Sequence, residues 1–479
     1  MVVVTPVGQG LLPISKPLNA GTRKERDSMG EIELPDNVYY GIQTYRALNN
    51  FPISGITADP DFISASVLIK KAAATINSEL GQLDKKISEA IIKAADEILA
   101  GNLKDNFVVD VYQSGAGTSH NMNINEVLAN RAIEILGGLR GDYSIVSPND
   151  DVNCAQSTND HIPTAMRVAA LTKTAELLKV LDECSKSLSE KGTEFYKIIK
   201  AGRTHLKDAV PVRLGREFQV YSKQLYDHKT RIQSTLEELK IIGIGGTAIG
   251  TGLNTHPQYQ MKMVTELNKL TGFDLKAGSD LMLLTQSMAP FVAVSNALKN
   301  LVLDLTKICN DLRLMDSGPT TGLSEIKLPS VQPGSSIMPG KINPSMVEVV
   351  NQVCIDVKGN CSKIEDASQA GQFELNVMMP IINFNLLHSI KILTNALRVW
   401  NEKCIKGITA NVERCNQYAN SSVSNATILN PEIGYLNAAE VVKEALATGK
   451  TIKEVCLERK LLTDEQLKEL LDLEKLAGI

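Results

Sequence analysis

The chain has 479 residues, about three times the ~150 of an average domain, so several domains or layers are expected. Fifty Lys and Arg against 54 Asp and Glu leave a formal net charge of −4, without the basic surplus of a nucleic-acid binder. Aromatics make up 4% with the single Trp400, which disfavours base-stacking platforms, while 43% hydrophobic content is ample for a large core.

In chain order, Met1 to Ala20 holds Pro6, Pro13 and Pro17 and one charge, Lys16. It lacks the charged start and compact apolar core of a signal peptide. Arginine is absent until Arg23, which weakens a mitochondrial transit reading, and residues 1–22 are expected to form a disordered tail. No run approaches the ~18 apolar residues of a membrane span. A mixed N-terminal region should occupy 23–153, a long-helix centre 154–406, and a small helical region 407–479.

From about Asp61 onward the periodicity is helical. Pro163 to Lys200 and Leu214 to Ile242 read as long helices. Val294, Leu298, Leu301, Leu305, Ile308 and Leu312 recur at alternating four- and three-residue steps, placing them on one helix face. Leu387, Ile390, Leu393, Leu397 and Trp400 do much the same. Helices this long need partners along their length, and no βαβ rhythm appears, so a mainly all-α bundle is expected. The eight cysteines, Cys154, Cys184, Cys309, Cys354, Cys361, Cys404, Cys415 and Cys456, form no C-x-x-C or zinc spacing. They read as small buried hydrophobes in a reducing compartment.

Four islands rich in Gly, Ser, Thr and Asn interrupt the helices: Gly115 to Asn125, Ser147 to Asp160, Gly202 to Pro211 and Gly334 to Pro344. Two resemblances fail inside and near them. Gly243, Gly245 and Ala248 fit a permissive dinucleotide fingerprint, but Leu236 to Ile242 reads as a helix end, so a helix-to-helix loop is expected. Gly334 to Lys341 looks like a phosphate loop, yet five residues separate its glycines and Ile342 stands where a magnesium-binding hydroxyl would be.

Thr118-Ser119 precede a helix expected from Asn123, Ser157-Thr158-Asn159 one near Pro163, and Asn343 one opening at Pro344. Taken singly, such residues are ordinary helix caps. Helix N-termini are also anion sites, and three of them with Lys341 could hold a small dianion such as a dicarboxylate. Likewise Ser335 alone would be a turn residue, His205 a satisfied structural histidine and Lys341 a solvated lysine.

Gly334-Ser335-Ser336-Ile337-Met338-Pro339-Gly340-Lys341-Ile342-Asn343-Pro344 resembles the signature loop of the fumarase/aspartase superfamily. Gln156-Ser157-Thr158-Asn159-Asp160 and Gly202-Arg203-Thr204-His205-Leu206-Lys207-Asp208-Ala209 are similar to its other two signature regions, in the expected order. The resemblance runs from about Arg23 to the C-terminus. Tyr39-Tyr40-Gly41, Asn50-Phe51-Pro52-Ile53-Ser54, Gly115-Ala116-Gly117-Thr118-Ser119, Glu348-Val349-Val350-Asn351-Gln352 and Ala370 to Met378 resemble the aspartase branch. Ser147 stands where fumarases usually carry a histidine of a secondary dicarboxylate site. His205 is typical of fumarases and of some aspartases, while His120, His161 and Asp316 depart from the pattern.

The resemblance implies elimination of ammonia from L-aspartate to give fumarate, through a carbanion held as an aci-carboxylate. Ser335 would be the general base, its oxyanion held by backbone N–H groups of the loop and by Lys341. Thr118, Ser157, Thr158 and Ser336 would bind the β-carboxylate; Thr204, Lys341 and Asn343 would hold the α-carboxylate. Asn159 and His205 would face the amino group, with His205 oriented by Glu348. Hydration of fumarate is the alternative reaction. A non-catalytic structural protein of the same fold is a remoter one, disfavoured by the intact Ser335, Lys341, Asn343 and His205. The resemblance further implies a three-part subunit with a central long-helix bundle, a homotetramer with each site drawn from three subunits, and a cytoplasmic location. No cofactor is required, because the substrate carboxylate is the electron sink; divalent-metal activation is known in the family but no ligand cluster is visible in the sequence.

Overall fold

The computed structural model describes residues 21–478, so the expected tail lies outside the described residues apart from Gly21 and Thr22. A hairpin of β1 (Thr22–Asp27) and β2 (Gly30–Pro35) is followed by α1 (Ile42–Asn50), α2 (Pro60–Glu79), α3 (Lys85–Leu99), α4 (Thr118–Ile135) and α5 (Thr158–Glu194). A second hairpin, β3 (Ile199–Thr204) and β4 (Lys207–Arg213), leads into α6 (Leu214–Leu239). Then come α7 (Tyr259–Thr271), α8 (Leu281–Gln286), α9 (Ala289–Met315), α10 (Ser345–Gln369) and α11 (Met379–Lys403). Short helices between Val412 and Leu476 complete the described chain. Among the described residues 63% are helical and every sheet has two strands, so the class is mainly all-α.

Two compact units are present, each assembled from stretches distant in sequence. The first comprises the described chain from Gly21 to Glu176, Ile232–Lys299 and Val357–Lys391. Within it, Leu34, Val67, Ile91, Ile124, Leu128 and Ile133 from β2, α2, α3 and α4 form a buried apolar cluster. Local chemistry starts these helices where they start. Asp59 caps α2 by accepting from Asp61 N–H, ahead of Pro60, and Asp84 caps α3 by accepting from Lys86 and Ile87 N–H.

The second unit comprises Leu177–Arg231, Asn300–Asp356 and the described chain from Ile392 to Gly478. Its C-terminal part packs Leu429, Val441, Val455, Cys456 and Leu467 together. Two of its short helices, Ile452–Glu458 and Asp464–Leu470, open on capping boxes, Thr451 with Glu454 and Thr463 with Gln466.

Both apolar stripes read from the sequence are buried, Val294 to Leu312 on α9 and Leu387 to Trp400 on α11. All eight cysteines are free, and all but the half-buried Cys154 lie in the interior. The stretch 243–250 is a loop between helices, preceded only by the two-residue strand Ile241–Ile242.

Three expected boundaries are corrected. Helix α4 begins at Thr118 rather than Asn123, because Ala116 and Gly117 take left-handed φ of 58° and 89° and turn the chain directly into the helix. Helix α5 begins at Thr158, with Pro163 inside it. Ser157 caps it: its Oγ accepts from Asn159 N–H at 3.2 Å while the Asp160 carboxylate accepts from Ser157 N–H at 2.9 Å. Helix α10 begins at Ser345, and Asn343 does not cap it; its side-chain amide donates instead to the Gly334 carbonyl at 2.6 Å. The Gly202 to Pro211 island lies within the β3–β4 hairpin.

Candidate active site

The first unit brings Thr118, Ser157, Thr158 and Asn159 to two neighbouring helix N-termini. Thr118 is exposed as the first residue of α4. One turn on, the Asn121 amide donates to Thr158 Oγ1 at 3.3 Å, tying the start of α5 to α4. Asn159 donates from its amide to the Ala248 carbonyl at 2.7 Å. Side chains satisfy part of the α4 terminus, since Gln113 Oε1 accepts from His120 N–H at 2.8 Å. A Cβ on Gly117 would meet Ile162 at 3.2 Å, and its φ of +89° already favours glycine.

The second unit carries the remaining residues on a hairpin and a loop. Thr204 ends β3, and His205 with Leu206 forms the turn at φ 55° and 56°. Two consecutive positive φ values are those of a type I′ turn, which usually selects Asn-Gly. An exposed histidine held there is a local cost that the flanking structure must offset. That structure is a buried ion cluster at the base of the hairpin. Arg203 donates to both oxygens of the fully buried Glu325 at 2.9 and 3.0 Å, and Lys200 approaches the same carboxylate at 3.4 Å.

The loop from Gly334 to Asn343 is pinched shut at its ends. Gly334 N–H donates to the Lys341 carbonyl at 2.8 Å, while Asn343 bonds the Gly334 carbonyl. A Cβ on Gly334 would lie 2.6 Å from Asn343 N and Lys341 O, so the pinch requires glycine. Inside the loop, Ser335 Oγ accepts from Ile337 N–H at 3.2 Å and from Met338 N–H at 2.8 Å. Two convergent N–H donors on a serine oxygen also occur in ordinary serine turns, and they are the donors a serine oxyanion needs. Ser336 and Lys341 are exposed beside it. Glu348, in the first turn of α10, stands 3.7 Å from Arg313; among the described residues no hydrogen bond or ion pair joins it to His205.

A family profile described as Lyase matches residues 30–359, and one described as Fumarase C C-terminus matches residues 426–478. The chain belongs to the fumarase/aspartase superfamily of lyases. An aspartate ammonia-lyase of Bacillus sp. is 48% identical over 455 residues, covering 95% of this chain and 97% of its own. A fumarate lyase:delta crystallin from Brucella melitensis, solved bound to cobalt, superposes with a TM-score of 0.93 at 45% identity, covering 96% of this chain and 100% of that one. A class II fumarase from Schistosoma mansoni also gives 0.93, at 36% identity, covering 96% and 99%.

In this lyase the three departures from the family pattern have different surroundings. His120 is buried, stacked on Phe62 with ring centroids 4.4 Å apart and 3.1 Å from Ser66 Oγ. Burial, with the Lys70 charge, pulls its imidazole down to about 3. His161 is buried and held well below the usual range for the same reason. Asp316 accepts from Leu328 N–H at 2.9 Å, a structural tie. Sequence reasoning missed Lys70, Asp160 and the Arg203–Glu325 pair. Only Asp160 left a signal, as the fourth residue of a Ser-x-x-Asp cap pattern.

Proposed function

We propose that this lyase is an aspartate ammonia-lyase, converting L-aspartate reversibly to fumarate and ammonia. The observation that carries the reading is the pair of backbone N–H groups converging on Ser335 Oγ. Those donors lower the cost of a serine oxyanion, which takes the proton from the carbon next to the β-carboxylate. The electron pair moves into that carboxylate, giving an aci-carboxylate whose added charge is met by Thr118, Ser157, Thr158 and Ser336. Collapse of this intermediate forms the carbon–carbon double bond and expels ammonia with the C–N electron pair. Thr204, Lys341 and Asn343 hold the α-carboxylate, and Asn159 and His205 face the amino group. The substrate carboxylate accepts the electrons, so no cofactor enters the reaction.

The 48% identity to the Bacillus sp. aspartate ammonia-lyase, against 36% to the class II fumarase, favours ammonia over water as the leaving group. Incubation with L-aspartate and separately with L-malate, followed by fumarate absorbance, tests the choice. Turnover of malate alone would replace this reading with fumarate hydratase.

The assembly is proposed as a homotetramer with composite sites, in which Glu348 of one subunit orients His205 of another. The three stretches 23–153, 154–406 and 407–479 are proposed as its parts, the middle one supplying the central bundle. Exposed apolar side chains on the long helices support this, among them Ile355 on α10 at 72% and Leu303 on α9 at 50%. Sedimentation gives the direct check. A cytoplasmic location is proposed with it, and the eight free thiols fit a reducing compartment.

A further inference from the structure

Behind the Ser157–Asn159 segment lies a buried polar network that the reaction itself does not use. Lys70, from the middle of α2, is fully buried and donates from Nζ to Asn153 Oδ1 at 2.8 Å. The same oxygen receives the amides of Asn121 and Asn125, each at 3.2 Å. Asn121 uses its amide a second time, on Thr158 Oγ1. A continuous hydrogen-bonded path therefore runs from the buried Lys70 amine to a hydroxyl assigned to the substrate. The other side of the segment is held by Asp160, also fully buried. Its Oδ1 accepts from Ser157 N–H, and its Oδ2 accepts from Gly245 N–H at 3.0 Å and Thr247 N–H at 2.9 Å.

A lysine placed wholly inside a domain costs stability unless it is paired, so its presence calls for an explanation other than packing. Here two buried ionisable groups face one network: burial works against the charged form of each, and the attraction between Lys70 and Asp160 opposes that effect. Sequence proximity does not explain the arrangement, because Lys70 and Asn153 are 83 residues apart.

We propose that Lys70 is a positioning residue for the reaction, acting through Asn153 and Asn121 to fix the orientation of the Thr158 hydroxyl toward the substrate carboxylate. This rests on the functional reading above for the identity of the ligand. The hydroxyl of Thr158 has one hydrogen to donate, and its lone pairs can accept. With the Asn121 amide pointed at the oxygen, the hydroxyl hydrogen is left to donate outward. Asn153 is also held through its amide, which donates to the Gln156 carbonyl at 3.1 Å. Removing Lys70 therefore takes away the shortest of three donors to Asn153 Oδ1 and loosens the hold on Asn121. Thr158 then loses its preset direction without any change in the residues that touch substrate.

The test is a double-mutant cycle between Lys70→Met and Thr158→Val, read by KM for L-aspartate and by the affinity of succinate, a dicarboxylate with no leaving group. These two quantities are insensitive to the fraction of active protein, which a purely structural defect would lower. Lys70→Met is expected to weaken both about five- to tenfold, and to change them less than about twofold in the Thr158→Val background. An unchanged KM and succinate affinity in Lys70→Met overturns the proposal, and so does a Lys70 effect of full size in the Thr158→Val background. If Lys70→Met does not fold, Asn121→Ala breaks the same path nearer its end, and an unchanged KM there overturns the proposal equally. Should the wild-type protein turn over neither aspartate nor malate, the functional reading fails. Calorimetric succinate affinity then decides the positioning role by itself, and wild-type protein that does not bind succinate overturns that role too.

Discussion

Ser335 Oγ and Met338 N–H stand 2.8 Å apart, with the serine oxygen as acceptor. The loop thus points positive backbone dipoles at the atom proposed to carry negative charge when it acts as base. Ile337 N–H adds a second donor at 3.2 Å. Ser335→Ala is expected to fold and assemble as the parent does and to lose roughly 10²- to 10⁴-fold in kcat. Steady-state rates with unchanged circular dichroism and sedimentation check this; near-parental turnover removes Ser335 from the base role.

The pinch that holds this loop depends on the absence of a side chain at Gly334. A methyl group there would sit 2.6 Å from two backbone atoms, and neither can move without opening the loop. Gly334→Ala should lower kcat/KM by about 10²-fold through misplacement of Ser335 and Lys341. The unfolding midpoint should hardly change, because the loop is largely exposed. Parallel loss of thermal stability and activity would point to a wider structural role.

Glu325 has no exposure to solvent and pairs with Arg203 and Lys200. Arg203→Met leaves that carboxylate with the more distant lysine alone, and should destabilise the protein by about 3 kcal/mol. Glu325→Gln in the same chain should recover part of the loss, since it removes the uncompensated charge. Chemical denaturation of the single and double variants measures the coupling; additive effects would mean the pair is not a unit.

Burial pulls the Lys70 amine from its ordinary 10.5 down to about 7, with Asp160 opposing the shift. Between those values the unfolded chain binds a proton at this position that the folded chain releases. Unfolding free energy contributed by Lys70 therefore rises with pH through that window and falls as pH drops back through about 7. The stability of the parent relative to Lys70→Met should be greater at about pH 9 than at pH 7, measured by urea unfolding. A difference that is flat or reversed would show that the amine keeps its charge inside the protein.

Much of the architecture was legible because apolar spacing needs no knowledge of the partner surface. Val294 to Leu312 had to share one face of a helix, and each of the six named positions is buried. Helix starts were harder to read. Thr118 opens α4 because two left-handed residues precede it, and only Gly117 shows that conformation in its residue type. The hairpin at Thr204 to Lys207 was missed for the same reason: His205-Leu206 carries none of the usual turn chemistry, and the strand leading into it is tied by Arg203 to Glu325, 122 residues further on. The Gly334 to Pro344 loop could be recognised as a motif, but not the direction of the Asn343 amide, which turns back to Gly334 and leaves α10 uncapped by it.

Lys70 and Lys71 mark the division most clearly. In sequence they are an equivalent pair, two charges in the middle of a helical pattern. A helix sets successive residues about 100° apart, so one can face solvent while the next faces the interior. Lys71 reaches Asp96 at the surface, whereas Lys70 ends among Asn153 and Asp160. Composition and periodicity determined a charged-balanced, aliphatic helical protein, and the Gly-Ser-Ser loop carried its family resemblance. Which lysine is buried, which N–H groups meet the Ser335 oxygen and which carboxylate anchors the hairpin were decided only by tertiary packing, because each depends on groups that meet through the folded chain rather than along it.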